Sequence, residues 1–267
     1  MHDYLLEILA NKAHEVAALK TRVANAPHSQ IARFLKGDKL LMKKSFKKAL
    51  QATTIAVIAE IKRKSPSKGE LAEIRDPITL AQHYITGGAA AISVLTDDYA
   101  FNGTVADMNS IATAYHDTNV AILRKDFILD EIQIAEAAAY GANAVLLIVA
   151  VLGDKTARLL NYCKALGIDA LVEVHSRDEL DLATNIGAEI IGVNNRNLTT
   201  FAVDIENAVR LKTDIPNHVI AVAESGIHSI EIAQRYAALG YNALLIGEAL
   251  VKSNNPQQLI NNVRQLR

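Results

Sequence analysis

Ionisable residues close several of the apolar runs in this chain. The stretch "VIAEIKRKSPSKGEL" (57–71) places Glu60 and Lys62 two residues apart where such a run ends. In an extended strand, residues i and i+2 share a face, so both side chains point the same way. "AILRKDF" ends in Lys125, "ALVEVHS" carries Glu173, "GVNNRNL" brings Asn194 and Arg196, and "AVAESG" closes on Glu224 and Ser225. Burying a charge is costly unless a partner neutralises it or a reaction uses it. Three glutamates and two lysines in one space can hold each other charged and tune each other's pKa, as general acid–base chemistry requires. Ion pairing within a scaffold is the alternative, and convergence of these residues at strand ends favours a shared site.

A second group suits an anion. Gly226 in "ESGIHS" and Gly247 in "LIGEAL" leave backbone N–H groups open to close approach, and Ser225 precedes the first of them. Ser65 in "SPSKG" and Arg196 add a hydroxyl and a guanidinium, which together fit a phosphate on a small molecule. Arg63 and Lys64 lead out of the strand and are expected to be solvated. His175, just past its apolar run, is expected to be a solvated loop histidine.

The elements that must position these groups follow from periodicity. Short apolar runs at 55–61, 90–96, 120–125, 144–149, 170–174, 189–193, 219–225 and 243–247 predict eight strands. Between them lie helical patterns such as "DPITLAQHYITGG", "DEIQIAEAAAYGA" and "SRDELDLATNIGA", each opening on an Asp or Ser suited to N-capping and closing near Gly. Near-continuous apolar strands alternating with helices mark buried parallel β-structure. Eight such units predict the α/β class and a single closed (β/α)8 barrel. In that fold the strands' C-terminal ends carry the site, and the loops after strands seven and eight commonly form a phosphate cradle. Residues 1–48 are helically patterned and are expected to form an N-terminal helical extension packed on a barrel spanning 49–267. The loop after strand one, rich in Gly, Ser and charge, is expected to act as a lid.

Composition narrows the classes. The 267 residues have a formal net charge of −1, which gives no argument for nucleic acid or a membrane surface as a partner. The apolar run "AVLLIVAVL" is far shorter than the roughly 20 residues a membrane helix needs. "MHDYLLEILANKAHEV" lacks a signal peptide's basic start and apolar block. The single cysteine, Cys163, is expected to be a buried hydrophobe on a helix in a cytoplasmic protein. The eight histidines form no H-E-x-x-H or H-x-H cluster, no P-loop spacing occurs, and no Ser or Cys has an evident base partner.

Taken together, "AEIKRKSPSKG", "ISVLTDDYAFNGT", "LRKDFILDEIQIAEAAAYGANAVLLI", "LVEVHS", "IGVNNRNL", "VAESGI" and "LIGEAL" resemble the indole-3-glycerol-phosphate synthase family of tryptophan biosynthesis. The resemblance covers the barrel and the N-terminal extension. It implies a carboxy-lyase that closes a ring in 1-(2-carboxyphenylamino)-1-deoxyribulose 5-phosphate, yielding indole-3-glycerol phosphate, carbon dioxide and water. It implies no metal and no organic cofactor, and a small phosphorylated substrate; a monomer is expected, with a weak homodimer as the alternative. By that resemblance Lys125 is the general acid at the ribulose carbonyl. Lys62 pairs with the substrate carboxylate and is a candidate second acid, and Glu173 handles protons in the dehydration. Glu60 and Glu224 hold lysines and substrate in register, and Asn194 orients sugar hydroxyls. Ser65, Arg196, Ser225, Gly226 and the backbone at Gly247 and Glu248 receive the phosphate. Phe101, Phe127, Leu146, Ile148 and Leu198 line an apolar slot for the anthranilate ring. Some members have Ser where this chain has Glu248, so Glu248 is expected to act only through its backbone, with its side chain turned away.

These residue types suit the reaction on chemical grounds as well. The carbonyl oxygen needs an acid, and a lysine lowered toward neutrality by burial and a neighbouring ammonium could donate the proton. The competing enzyme reading is an isomerase of phosphoribosylanthranilate, whose family uses a Cys/Asp pair; no predicted strand end here bears Cys. A silent phosphate-ligand binder would not need both lysines and three inward glutamates.

Overall fold

Alternation along each strand separates two packing surfaces in the computed structural model, which describes residues 2–38, 44–51 and 54–266. Among the described residues, eight parallel strands close into a barrel: β1 (Ala56–Ile61), β2 (Ala91–Leu95), β3 (Ala121–Lys125), β4 (Ala144–Ile148), β5 (Asp169–Val174), β6 (Ile190–Asn194), β7 (Ile220–Glu224) and β8 (Ala243–Ile246). β1 pairs in parallel with both β2 and β8, which closes the ring. The expected strands therefore form in the expected order, with ends shifted by a residue or two.

Period two sends alternate residues inward. Ile58, Leu123, Leu146, Leu171, Ile190, Val222 and Leu245 fill the barrel interior. Val57, Val94, Ile122, Leu147, Val172, Val193 and Leu244 face the surrounding helices. Each such buried side chain contributes about 1.5–3 kcal/mol through removal of apolar surface from water. Continuing the inward parity to the strand ends reaches Glu60, Lys125, Ile148, Glu173, Asn194 and Glu224, with Lys62 one step beyond β1. All of them line one cavity.

The crossover helices start where the capping residues predict. Asp76 accepts from Ile78 N at the head of Pro77–Thr86, and Ser176 accepts from Glu179 N at Arg177–Asn185. Asp130 and Gln133 form a reciprocal capping box that begins Glu131–Ala139. No described helix is long and apolar enough to cross a membrane.

Among the described residues, three helices precede the barrel: α1 (His2–Asn25), α2 (Gln30–Leu35) and α3 (Phe46–Ala49). Residues 39–43, part of the expected extension, lie outside the described residues. Ser45 caps α3, and Asp169 at the start of β5 accepts from Lys47 N at 2.9 Å. That contact places buried Phe46 and Leu50 against the N-terminal end of the barrel. α2 packs on Glu131–Ala139 through Ile31, Ala135 and Ala139, and Gln30 Nε2 donates to Ala139 O at 2.6 Å. α1 reaches the opposite end, where Leu5 and Ile8 line the cavity.

Candidate active site

The cavity at the C-terminal strand ends has a volume of about 930 Å³. Glu60, Glu173 and Glu224 are almost fully buried in its floor. Lys125 Nζ stands between two of them, 3.1 Å from Glu173 Oε2 and 3.5 Å from Glu224 Oε2. Lys62 Nζ pairs with Glu60 Oε1 at 2.5 Å. Asn194 and Glu224 are register partners across β6 and β7, and Asn194 Oδ1 accepts from Arg196 N at 2.9 Å.

Two glycines, Gly192 within β6 and Gly247 just past β8, make room for this chemistry. A Cβ on Gly192 would fall 2.0 Å from Glu224 Oε1, and one on Gly247 would fall 2.3 Å from Glu60 Oε1. Only a residue without a side chain lets these carboxylates lie inside the ring.

The electrostatics depart from the expectation of a neutral-leaning lysine. Burial lowers the pKa of Lys125, but the opposing fields of Glu173, Glu224 and Glu60 outweigh it and raise the net value. Lys125 is thus held as an ammonium because its nearest charges are carboxylates, not a second lysine. Burial alone would raise Glu173, yet Lys125 and His175 bring it below the usual carboxylate range. Glu224 goes the other way: burial, reinforced by Glu173 and Glu60, raises it despite Lys125. Two carboxylates with opposite proton preferences therefore flank one ammonium.

His175 is not a solvated loop residue. Its ring is largely buried, with Nε2 3.3 Å from Glu173 Oε1 and Nδ1 3.3 Å from Glu179 Oε2. Burial opposes its protonation, but these two carboxylates prevail and push its pKa up to about 10. Arg63 is likewise bound rather than solvated: Nη1 donates to Asp107 Oδ2 at 2.7 Å and Nε to Ile74 O at 3.2 Å. Lys64 is half-buried in a two-stranded ribbon, Lys64–Ser65 against Gly69–Glu70, which forms the loop after β1.

At the other side of the cavity, Ser65, Arg196, Ser225, Gly226, Gly247 and Glu248 all contribute to the wall. Ser225 (φ 65°) and Gly226 (φ 76°) are both left-handed, which turns the chain sharply after β7. At position 226 a Cβ would also meet Val203 Cγ1 at 2.7 Å, so glycine is required there. Arg196 Nη1 donates to Ser67 Oγ at 2.9 Å and to Phe201 O at 3.0 Å. The Glu248 side chain is engaged by Lys68 at 2.6 Å and Lys252 at 2.8 Å. Burial raises its pKa, but those ammonium groups dominate and hold it down at about 2. The Lys68 pair and the Arg196–Ser67 bond tie the ribbon across the cavity.

Phe101, Phe127, Leu146, Ile148 and Leu198 come together as expected on the apolar side, where Leu5 and Ile8 of α1 join them. Sequence reasoning missed the α1 contribution, and with it Lys12, Asp97 and Asp126, a buried charge cluster beside this slot. A lysine in a helical pattern reads as exposed, and only tertiary contact makes it internal. Gly192 did carry a signal, since an isolated glycine within an apolar strand marks close approach of another group.

A family model described as indole-3-glycerol phosphate synthase matches residues 5–263 of the chain. A relative bearing that name from Koribacter versatilis (strain Ellin345) is 50% identical over 203 residues, 76% of this chain and 77% of its own. Another of the same name, from Opitutus terrae (strain DSM 11246 / JCM 15787 / PB90-1), is 42% identical over 266 residues, covering 97% and 98% of the two chains. Among solved structures, 3-hexulose-6-phosphate synthase from Salmonella typhimurium superimposes with a TM-score of 0.64 at 14% identity, covering 79% of this chain and 97% of that one. At that identity the likeness speaks for the barrel alone.

Proposed function

The chain belongs to the indole-3-glycerol phosphate synthase family, and from that premise we propose how its own side chains carry the reaction. The activity is that of a carboxy-lyase of tryptophan biosynthesis, acting on a small phosphorylated substrate. 1-(2-Carboxyphenylamino)-1-deoxyribulose 5-phosphate closes to indole-3-glycerol phosphate, with loss of one carbon dioxide and one water. The observation that carries the assignment of roles is the Lys125 ammonium held between Glu173 and Glu224 on the floor of a partly apolar cavity.

The substrate phosphate lies against Ser65, Arg196, Ser225, Gly226 and the backbone N–H groups of Gly247 and Glu248. The anthranilate ring enters the slot formed by Phe101, Phe127, Leu146, Ile148 and Leu198. Fixing both ends brings the ring carbon that bears the carboxylate against the ribulose carbonyl, which lowers the entropic part of the barrier. Lys62 faces the substrate carboxylate and balances its charge until carbon dioxide leaves. As the carbon–carbon bond forms, Lys125 donates its proton to the carbonyl oxygen. A firmly protonated ammonium suits that task, because the developing alkoxide is a stronger base than the amine. The ring then loses carbon dioxide, which frees the Lys62 ammonium from the carboxylate, and Lys62 as second acid protonates the new hydroxyl so that it departs as water. Glu173, kept ionised, accepts the proton whose loss restores aromaticity. Glu60 keeps Lys62 in place, Glu224 keeps Lys125 in place, and Asn194 orients the sugar hydroxyls.

The working unit is read as a monomer, with a weak homodimer as the alternative. The division into an N-terminal extension, 1–48, and a catalytic barrel, 49–267, is kept for this scheme, with α1 and α2 as the extension's described helices and α3 at the junction. The one cysteine, free and buried, accords with a reducing cytoplasm. Incubating the protein with the carboxyphenylamino-deoxyribulose phosphate and following indole absorbance tests the reading. Formation of indole-3-glycerol phosphate is expected, and substrate consumed without an indole chromophore would overturn it.

A further inference from the structure

We propose that Lys12, on α1, is a positioning residue for ring closure: its ammonium joins Asp97 to Asp126 and so fixes the two turns that carry Phe101 and Phe127 at the apolar slot. The inference rests on the assignment of that slot to the aromatic ring.

Lys12 is 1% exposed although its helix lies outside the barrel. Its Nζ is 2.9 Å from Asp97 Oδ2, 2.9 Å from Asp126 Oδ1 and 2.6 Å from Glu15 Oε2. Asp97 and Asp126 follow the ends of β2 and β3, and both line the cavity. Each carboxylate also organises its own turn. Asp97 Oδ1 accepts from Ala100 N at 2.7 Å and caps the short helix Asp98–Phe101. Asp126 Oδ1 accepts from Phe127 N at 2.8 Å, while Oδ2 accepts from Thr96 Oγ1 at 2.6 Å and Arg124 Nη2 at 3.1 Å. Phe101 and Phe127 thus hang from carboxylates that share one ammonium. Asp126 also adjoins Lys125, so the same tie steadies the backbone that carries the proposed acid.

Stability alone gives weak grounds for such a cluster. Burying an ion pair costs about as much solvation as it returns in attraction, and apolar replacements of similar volume are often neutral or better. Directional hold on two neighbouring turns is what an apolar residue could not provide. Lys12 stands one helical turn beyond Ile8 (i, i+4), so the ammonium also sets how Ile8 and Leu5 meet the ring slot.

Most of the phosphate wall follows β6, β7 and β8, across the mouth from this cluster, although the loop after β1 meets the helix Asp98–Phe101 where Arg63 reaches Asn102 O at 3.5 Å. The separation from the β6–β8 side makes the role testable. The variants are Lys12→Met and Lys12→Arg, and the ligands are inorganic phosphate and the substrate analogue whose ketone is reduced to an alcohol, which cannot cyclise. The chain has no tryptophan, so fluorescence of the analogue's anthranilate ring reports its binding directly. Lys12→Met is expected to weaken analogue binding and raise KM about tenfold, with phosphate affinity within about twofold of the parent and Lys12→Arg recovering part of the loss. Unchanged analogue binding in folded Lys12→Met overturns the proposal. So does parallel weakening of analogue and phosphate, which would mean general loosening. Should Lys12→Met fail to fold, Asp97→Asn decides: selective weakening of the analogue supports the tie, and anything else overturns it. Failure of the parent protein to form indole would count against the reaction assigned above, whereas these binding ratios judge Lys12 alone.

Discussion

Lys125 shows how far a residue's type predicts its role and where neighbours take over. Its place at a strand end was legible from period two, but its protonation was not, because the carboxylates that hold it come from β1, β5 and β7. Lys125→Ala is expected to lower kcat by at least about a thousandfold while leaving affinity for the reduced analogue within about tenfold, the mark of a group needed in the transition state. Near-normal turnover would remove Lys125 from the acid role. His175 was misjudged from sequence for the same reason: its partners Glu173 and Glu179 become visible only when β5 and the following turn are folded. Its folded pKa, about 10, lies above the ordinary 6.5, so the native state holds a proton that the unfolded chain releases between those values. The stabilisation it gives is therefore complete below about pH 6 and fades as pH rises through the folded pKa. Denaturant titrations of the parent and His175→Gln should differ by about 2 kcal/mol at pH 6 and converge toward pH 10. A gap that widened with pH would show that His175 is neutral in the folded protein.

At the scale of elements, strand parity did most of the predictive work. Knowing that Ile58 faces inward places Glu60 and Lys62 without any structure, and the same count places Glu173, Asn194 and Glu224. Helix starts were equally plain, since Asp76, Asp130 and Ser176 satisfy N–H groups within the next three residues. What parity cannot show is which strands become neighbours at the level of a particular atom. Gly192 in β6 is the clearest instance, because its missing side chain is space used by Glu224 of the adjacent β7. Gly192→Ala introduces no backbone strain, so its effect must come from that clash. Displacing the Glu224 carboxylate is expected to reduce kcat about tenfold or more and to cost about 1–3 kcal/mol in stability, typical of overpacking a dense interior. A variant with parental kcat would show that Glu224 tolerates a different rotamer and does not hold Lys125 in register. The extension was harder to read than the barrel. Helical periodicity identified α1, but its docking over the cavity depends on Lys12, Leu5 and Ile8 finding partners more than 80 residues away.

Across the whole molecule, closure of the ring means that each of the eight described barrel strands is paired on both sides, which leaves the barrel without an exposed edge. α3 covers the N-terminal end of the barrel while α1 closes over the other, so residues before β1 are bound at both faces. Such an arrangement should open largely as a unit, and Cys163 offers a way to measure that. It is fully buried on helix Lys155–Leu166 among apolar groups, and burial pushes its thiol up to about 12. A thiol reagent attacks the thiolate, so the folded protein should react slowly at neutral pH and only through an opened state. When reclosing outruns labelling, the rate is proportional to the population of that state. If inorganic phosphate binds the β7–β8 wall as proposed, it should stabilise the native form by RT ln(1 + [L]/Kd), about 2.7 kcal/mol at a hundredfold excess over Kd. If exposing Cys163 requires the barrel to open, phosphate at that concentration should slow labelling about a hundredfold, although the helix itself does not touch the anion wall. If the helix frays alone, the barrel and its phosphate wall remain intact, and the labelling rate would be the same with and without phosphate.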